Sequence, residues 1–422
     1  MHHIVIGAGP AGVIAAETIR KHDPGCRITL VGDEPEEPYS RMALPYFLSG
    51  HIGEKGTHLR KTKQHYQDSA IECVKDRVVR VDPGRHGVKL ERAGELSYDK
   101  LLIATGSHPA TPPIPGIDSP GIYSCWTLAD ARNIASRLSP GAKVVLLGAG
   151  FIGCIILEAL AKQGADLTVV EMEDRMVPRM MNDQAGGLIK QWCQGKGVSV
   201  LTSTRVTSVE EGSGESPLAV RLDSGAILPA DLMVSATGVR SNISFLEGSG
   251  IGTDQGVLVN RYLQSSDPDI YAAGDVAQGL DFSTGAYSVQ AIQPTAADHG
   301  QLAGRNMAGA RVAHRGSINM NVLDTMGLIS SSFGLWMGVD CGESTECCDP
   351  GRYHYINLQF EDDTLVGATS IGLTQHVGVL RGLIQSRIRL GKWKNKLLKN
   401  PSRIMEAYLS STQAIGFNAS LL

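Results

Sequence analysis

The chain has 422 residues and a mass of 45.0 kDa, enough for two or three domains with sizeable cores. Hydrophobic residues make up 42% and charged residues 19%, as in an ordinary globular protein, and a net charge of −4 gives no basis for a nucleic-acid partner. No run approaches 18 uninterrupted apolar residues, so no transmembrane segment is expected.

The chain enters structure at once. Ile4-Val5-Ile6 reads as a short buried strand, Gly7-Ala8-Gly9-Pro10-Ala11-Gly12 as a glycine turn, and the Ala- and Ile-rich stretch behind it as a helix. A first strand this close to Met1 leaves no room for a signal peptide, and a cytoplasmic protein is expected. Arg27 to Val31 is the next strand, followed by Asp33 or Glu34 as the acid about 20 residues beyond the last glycine. Pro35 to Gly50 is rich in turn formers and aromatics. Short β-like runs follow (Arg77-Val78-Val79-Arg80-Val81; Gly87 to Leu90), ending in Leu101-Leu102-Ile103-Ala104-Thr105-Gly106. Pro109, Pro112, Pro113 and Pro115 mark a linker.

The same pattern then recurs. Val144 to Leu147 is a strand, Gly148-Ala149-Gly150-Phe151-Ile152-Gly153 a glycine turn, and Leu167 to Val170 a strand closed by Glu171. Leu232-Met233-Val234-Ser235-Ala236-Thr237-Gly238 repeats the Ala-Thr-Gly ending, and Asp269 to Ala273 is another buried strand ending in Gly274-Asp275. From about residue 318 the α/β alternation stops; short strands such as Tyr353 to Phe360 and a helical tail suggest a third, mixed domain. The fold class is α/β: two Rossmann-like units plus a C-terminal α+β domain.

GxGxxG is weak evidence alone. With 49 glycines in 422 residues, three at these offsets arise by chance roughly 0.7 times. Chance does not supply two copies, each with its strand, helix and acid. The first glycine permits the tight turn, the second lets a pyrophosphate approach the backbone, and the third lets the helix pack on the strand. The helix N-terminus then offers free N–H groups to phosphate. Two such units point to two nucleotide cofactors facing each other, as in a flavoprotein fed by a nicotinamide. A carboxylate at Glu171 accepts bonds from ribose hydroxyls and repels a 2′-phosphate, which favours NADH over NADPH, although Arg175 lies within reach of such a phosphate.

The eight cysteines contain no CxxC pair, so no redox-disulfide or metal motif of that kind is present, and no metal is expected. Cys341, Cys347 and Cys348 read as a hairpin-loop cluster, incidental in preference to the alternative of a redox or metal role.

With both Ala-Thr-Gly segments and Gly274-Asp275 in view, the chain resembles the FAD/NAD(P)-dependent pyridine nucleotide oxidoreductases with two dinucleotide-binding domains. These include NADH oxidases, rubredoxin and ferredoxin reductases, coenzyme A disulfide reductase and the flavin part of nitrite reductase. The resemblance implies FAD on Gly7, Gly9, Pro10, Ala11, Gly12, Asp33 or Glu34, Val78, Thr105 and Gly106, with Asp275 of the Gly274-Asp275 pair holding the ribityl chain. It implies NADH on Gly148, Gly150, Phe151, Ile152, Gly153, Glu171 and Gly238. Pro38-Tyr39-Ser40-Arg41 resembles the segment that lines FAD in ferredoxin-reductase-like members, which brings in Arg41. Gln293, Pro294 and Thr295 match the start of a helix at the pyrimidine end of the flavin. The FAD domain would comprise residues 1–115 and 237–316, with the NADH domain, 116–236, inserted, and a C-terminal domain at 317–422. The resemblance also admits a homodimer.

Departures from the family pattern narrow the chemistry. Met42 occupies the place of the redox cysteine in disulfide-reducing relatives, and a thioether forms neither thiolate nor mixed disulfide. The Lys/Glu pair that many relatives carry near the flavin corresponds to Tyr46 and Ile155, with Glu158 as a substitute or merely a structural residue. No catalytic side chain is expected, because the cofactors carry the hydride chemistry. Electrons would pass to a small iron–sulfur or rubredoxin-like carrier protein or a partner subunit. The alternatives are oxygen or another small acceptor, or FAD binding with little turnover. The basic run from Arg381 to Arg403 suggests either an acidic partner or a solvated face.

Overall fold

A computed structural model describes residues 1–419 apart from 63 and 213, with side chains described to residue 412. The first sheet has five parallel strands in the order Ile270–Ala272, Lys100–Ile103, His2–Ile6, Arg27–Gly32 and Ile71–Lys75. Ile4, Val5, Leu101, Leu102, Ile103 and Ile270 are fully buried, as strands covered on both faces require. The second sheet, also five parallel strands, runs Ser199–Leu201, Asp166–Val170, Lys143–Leu147, Leu232–Ser235 and Ile122–Tyr123. The edge strand Ile270–Ala272 of the first sheet comes from chain that follows the whole second sheet.

The two units repeat in register. Ile6 pairs with Val31 and Leu147 with Val170. Gly7 N donates to Val31 O at 2.7 Å, and Gly148 N to Val170 O at 2.8 Å. Both glycines have positive φ, +107° and +98°, and a Cβ would sit 2.0 Å from Ala104 O in the first and 2.6 Å from Ala236 O in the second. The strand of each Ala-Thr-Gly segment thus presses its backbone against the glycine turn, which leaves no room for a side chain.

The chain passes between the units twice. Ser107–Pro109 and Val239–Ser241 pair antiparallel as a two-stranded link. The Thr105 hydroxyl donates to Asn242 O at 2.9 Å and the Thr237 hydroxyl to Ala110 O at 2.9 Å, so each Ala-Thr-Gly threonine ties down the other connection.

The C-terminal sheet is antiparallel, in the order Met320–Thr325, Leu328–Gly334, Thr364–Ile371, His354–Glu361 and Glu343–Asp349. One face packs beneath helices Val377–Ser386, Lys392–Lys399 and Ile404–Ala419, around Phe333, Leu358, Phe360 and Leu383. Leu323, Leu328, Tyr355 and Ile371 join the core of the second unit. The α/β class with an added α+β domain is therefore as expected, but only Cys341 of the cysteine cluster lies in a turn. Cys347 and Cys348 lie in the edge strand Glu343–Asp349, paired with Ile356 and Tyr355. Among the described residues, no helix is long and apolar enough to cross a membrane.

Candidate functional site

The strands of the first sheet end on one cavity, at the carboxyl edge where open α/β sheets bind ligands. Each strand end contributes to it: Gly7, Gly32, Val74, Ala104 and Ala273. Helix Pro10–His22 starts there, with Gly9 as its N-cap, Pro10 in the first turn and no side chain capping its free N–H groups. A Cβ on Gly9 would meet no atom within 4 Å. Uncapped donors, the positive dipole end and open space above the loop fit a dinucleotide diphosphate. Helix Phe151–Lys162 repeats the arrangement: Gly150 is its N-cap without a side-chain bond, and a Cβ there also meets nothing within 4 Å.

Ala11, Thr105, Gly106, Gly274 and Asp275 line the first cavity, as do Asp33, Glu34, Arg41, Met42 and Gln293. Arg41 is held rigidly: its guanidinium meets Glu34 Oε1 at 2.7 Å, donates to Trp126 O at 2.7 Å and lies 5.3 Å from the Trp126 ring. The Tyr39 hydroxyl also bonds Glu34. Asp33 forms an exposed pair with Arg77 at 3.1 Å. The Asp275 carboxylate accepts a bond from Ser107 Oγ at 3.0 Å, and burial raises its pKa against the opposing effects of that bond and of Arg41. Ser40 Oγ donates to Gln293 Oε1 at 2.6 Å, anchoring the start of helix Gln293–Met307. Pro294 sits exposed in the first turn and Thr295 is buried in the helix; neither lines the cavity wall, while Ala296 does. A second cavity of about 570 Å³ shares Ser107, Asp275 and Ala291 and extends toward His108, Arg240, Glu247 and Asp254.

Val78 does not reach the site. It is buried in a separate antiparallel sheet beyond the Asp76-Arg77 turn, whereas Val74 and Lys75, on the parallel strand before that turn, line the cavity. The register also corrects the acid of the first unit: the counterpart of Glu171 is Gly32, because Val31 and Val170 occupy equivalent places.

In the second unit Glu171 is buried, and both carboxylate oxygens accept backbone N–H bonds, from Ala149 at 2.6 Å and Glu173 at 2.9 Å. It therefore ties the strand end to the glycine turn, and Glu173, two residues on, is the exposed acid there. Arg175 is fully engaged: it pairs with Asp174 at 2.7 Å and Asp183 at 2.8 Å and donates to Met181 O.

Residues 1–300 match the family described as pyridine nucleotide-disulphide oxidoreductase. The chain belongs to that family. It is an NAD(P)H-dependent flavoprotein oxidoreductase. It is 30% identical over 413 residues to NADH-dependent phenylglyoxylate dehydrogenase subunit epsilon from Aromatoleum evansii, covering 97% of each chain. It is 32% identical over 318 residues to an NADH oxidase from Methanocaldococcus jannaschii, covering 73% of this chain and 70% of that one. Among solved structures, a NAD-dependent persulfide reductase from A. fulgidus matches with a TM-score of 0.86 and 28% identity, over 94% of this chain and 79% of the other.

For a member of a family named after disulphide chemistry, position 42 decides what is possible. Met42 is 41% exposed and lines the cavity, so a thioether stands there at the position that the sequence resemblance matches to the redox cysteine. Cys73 is the cysteine among the described lining residues; it is exposed on strand Ile71–Lys75, with its thiol shifted up to about 11 by partial desolvation and by Glu37. Tyr46 is exposed on helix Leu44–Leu48 and Ile155 packs against the apolar core of the second unit. Glu158 does not replace the missing pair: it bridges to Lys162 at 2.5 Å and accepts the Met326 N–H at 3.3 Å, a structural role.

The basic run in the tail is largely engaged internally. Lys394 pairs with Glu343 at 3.2 Å, and Lys396 and Arg403 lie 4.0 Å and 5.3 Å from the Trp393 ring. Arg387 donates to Phe282 O at 2.9 Å. Arg389, Lys392 and Lys399 are exposed.

Proposed function

We propose that this chain takes electrons from NADH and delivers them to an iron–sulfur carrier protein or a partner subunit of a larger redox complex. The observation that carries this reading is Met42 at the cavity wall, a thioether in the place that the sequence resemblance matches to the redox cysteine. Without a thiol relay, electrons leave from the flavin itself. The end-to-end match to a subunit of an NADH-dependent dehydrogenase supports the partner-subunit form.

Gly7, Gly9, Pro10 and Ala11 would hold the FAD diphosphate, Asp275 its ribityl hydroxyls, and Arg41, Met42 and Gln293 the wall at the flavin end. Residues 1–115 and 237–316 would form this unit around the inserted one. When bound, FAD supplies the conversion between hydride transfer and one-electron transfer. Gly150, Phe151, Ile152 and Gly153 would bind the NADH diphosphate. NADH is favoured over NADPH because Glu171 and Glu173 place negative charge at the strand end, while the pairs with Asp174 and Asp183 hold Arg175. Tyr46 and Ile155 leave the nicotinamide side without the usual charge pair, so no side-chain proton transfer is assigned there.

Oxygen is the competing acceptor, supported by the likeness to an NADH oxidase. The two readings separate in steady-state assays of the FAD-loaded chain. Reduction of a [2Fe–2S] or rubredoxin carrier well above the rate of oxygen consumption is expected. Oxygen consumption as fast as any carrier reduction, with no iron–sulfur protein co-purifying from the native cell, would remove the proposal.

A further inference from the structure

On the opposite side of the first unit from the cofactor cavity, a histidine, a carboxylate and a cysteine converge. His3 lies on the first strand, Asp23 caps the C-terminus of helix Pro10–His22, and Cys26 sits in the turn leading to Arg27–Gly32. Their ligand atoms all lie within 4.8 Å of one another, with His3 Nε2 to Asp23 Oδ2 at 3.9 Å. Ligands of one tetrahedral zinc ion stand roughly 3.3–3.8 Å apart, so small side-chain shifts close the site.

His3 is the unusual member. Its side chain is fully buried, yet neither ring nitrogen has a hydrogen-bond partner among the described residues. Buried polar atoms are normally paired, and a pair this close to a carboxylate and a thiol faces atoms that ligate metals. Cys26 is unoxidised and buried, and its thiol now donates to Asp23 O at 3.1 Å. Asp23 is one-third exposed and gives solvent access. Lys100 and the N-terminal amine are cations acting on His3, and Arg20 lies 3.9 Å from Cys26 Sγ with its guanidinium fixed by the carbonyls of Pro24, Cys26, Ser69 and Ala70.

We propose that His3, Asp23 and Cys26 bind one divalent, thiophilic metal ion of the zinc type, with water completing its shell. The ion would join the first strand, the end of the first helix and the start of the second strand. No electrons move. The metal–sulfur bond forms as the Cys26 S–H breaks, and its proton goes to the buffer. The imidazole nitrogen and the carboxylate oxygen bind through lone pairs.

The test titrates chelator-treated, FAD-loaded chain with zinc chloride by calorimetry in two buffers of different ionisation enthalpy. Cys26→Ser, Asp23→Asn and His3→Gln are compared with wild type, with flavin content as the folding control. Because other cysteines are exposed, the readout is the difference between wild type and variant. Wild type should bind one more equivalent than Cys26→Ser, releasing about one proton. Each variant should lose that equivalent or weaken it at least about tenfold. Cobalt(II) should give a sulfur-to-metal charge-transfer band that Cys26→Ser lacks. Equal stoichiometry and affinity in wild type and Asp23→Asn, the substitution least able to disturb the core, would overturn the site. So would a zinc equivalent gained without proton release.

Discussion

Gly7 and Gly9 stand two residues apart in one turn, and the structure assigns them opposite sensitivities to the same methyl group. At Gly7 an added Cβ would lie 2.0 Å from Ala104 O at a φ of +107°. Overpacking costs about 1–3 kcal/mol and positive-φ strain another 1–3 kcal/mol. Together they take about 2–6 kcal/mol from a total stability of about 5–15 kcal/mol. At Gly9 the φ is −81° and no atom lies within 4 Å of the Cβ. Gly9→Ala should therefore leave the apoprotein within about 1 kcal/mol of wild type, the usual cost at an N-cap. The methyl would instead intrude on the diphosphate. Loss of even one charge-assisted bond, about 1.5–3 kcal/mol, weakens FAD by roughly tenfold to a hundredfold. Urea melts of apoprotein and fluorescence titrations with FAD measure the two effects separately. Wild-type FAD affinity in Gly9→Ala would refute the assignment of this turn as the diphosphate cradle. An unchanged apoprotein melt in Gly7→Ala would refute the packing argument.

Other expectations follow from the same geometry. Glu171→Ala should lower kcat/KM for NADH more than for NADPH and also loosen the glycine turn, since both carboxylate oxygens accept backbone N–H bonds; equal losses with the two nucleotides would count against the ribose assignment. Met42→Cys should not confer disulfide reductase activity in a thiol-release assay, because no acid–base partner has been identified for a thiol there. His299 is buried with its pKa lowered to about 3 by desolvation and then by His314, so the unfolded chain takes up its proton first on acidification. The associated stability is complete above an unfolded pKa near 6.5 and is lost as pH falls, by about 2 kcal/mol at pH 5. His299→Gln should lessen the fall in urea stability between pH 7 and 5, and an unaltered slope would contradict the burial argument.

The duplicated strand–turn–helix was legible because its cause is local: glycine at fixed offsets between an apolar strand and a helix. What the spacing left open was the strand end. Counting about 20 residues from the last glycine pointed to Asp33 or Glu34, whereas pairing of Ile6 with Val31 puts Gly32 in the place of Glu171. Register is set by both neighbouring strands, which a linear count does not see. Val78 was misplaced for a related reason: its run is β-like, but the turn at Asp76 sends it into a different sheet. Arg175 reads as free for a phosphate because Asp183, one of its two partners, stands at the start of the next helix. Cys347 and Cys348 sit among loop-like residues because an edge strand can be polar on both faces. Met42 needed no fold to be read as a missing thiol, and the structure adds that it stands at the cavity wall.

The central claim is flavin-only electron transfer without a thiol relay. Anaerobic titration of the FAD-loaded chain with NADH tests it most directly, followed by the loss of flavin absorbance. Full bleaching at one NADH per flavin is predicted, unchanged by prior alkylation of the accessible cysteines. A requirement for two NADH per flavin, or bleaching that alkylation abolishes, would reveal a second two-electron centre and contradict the account.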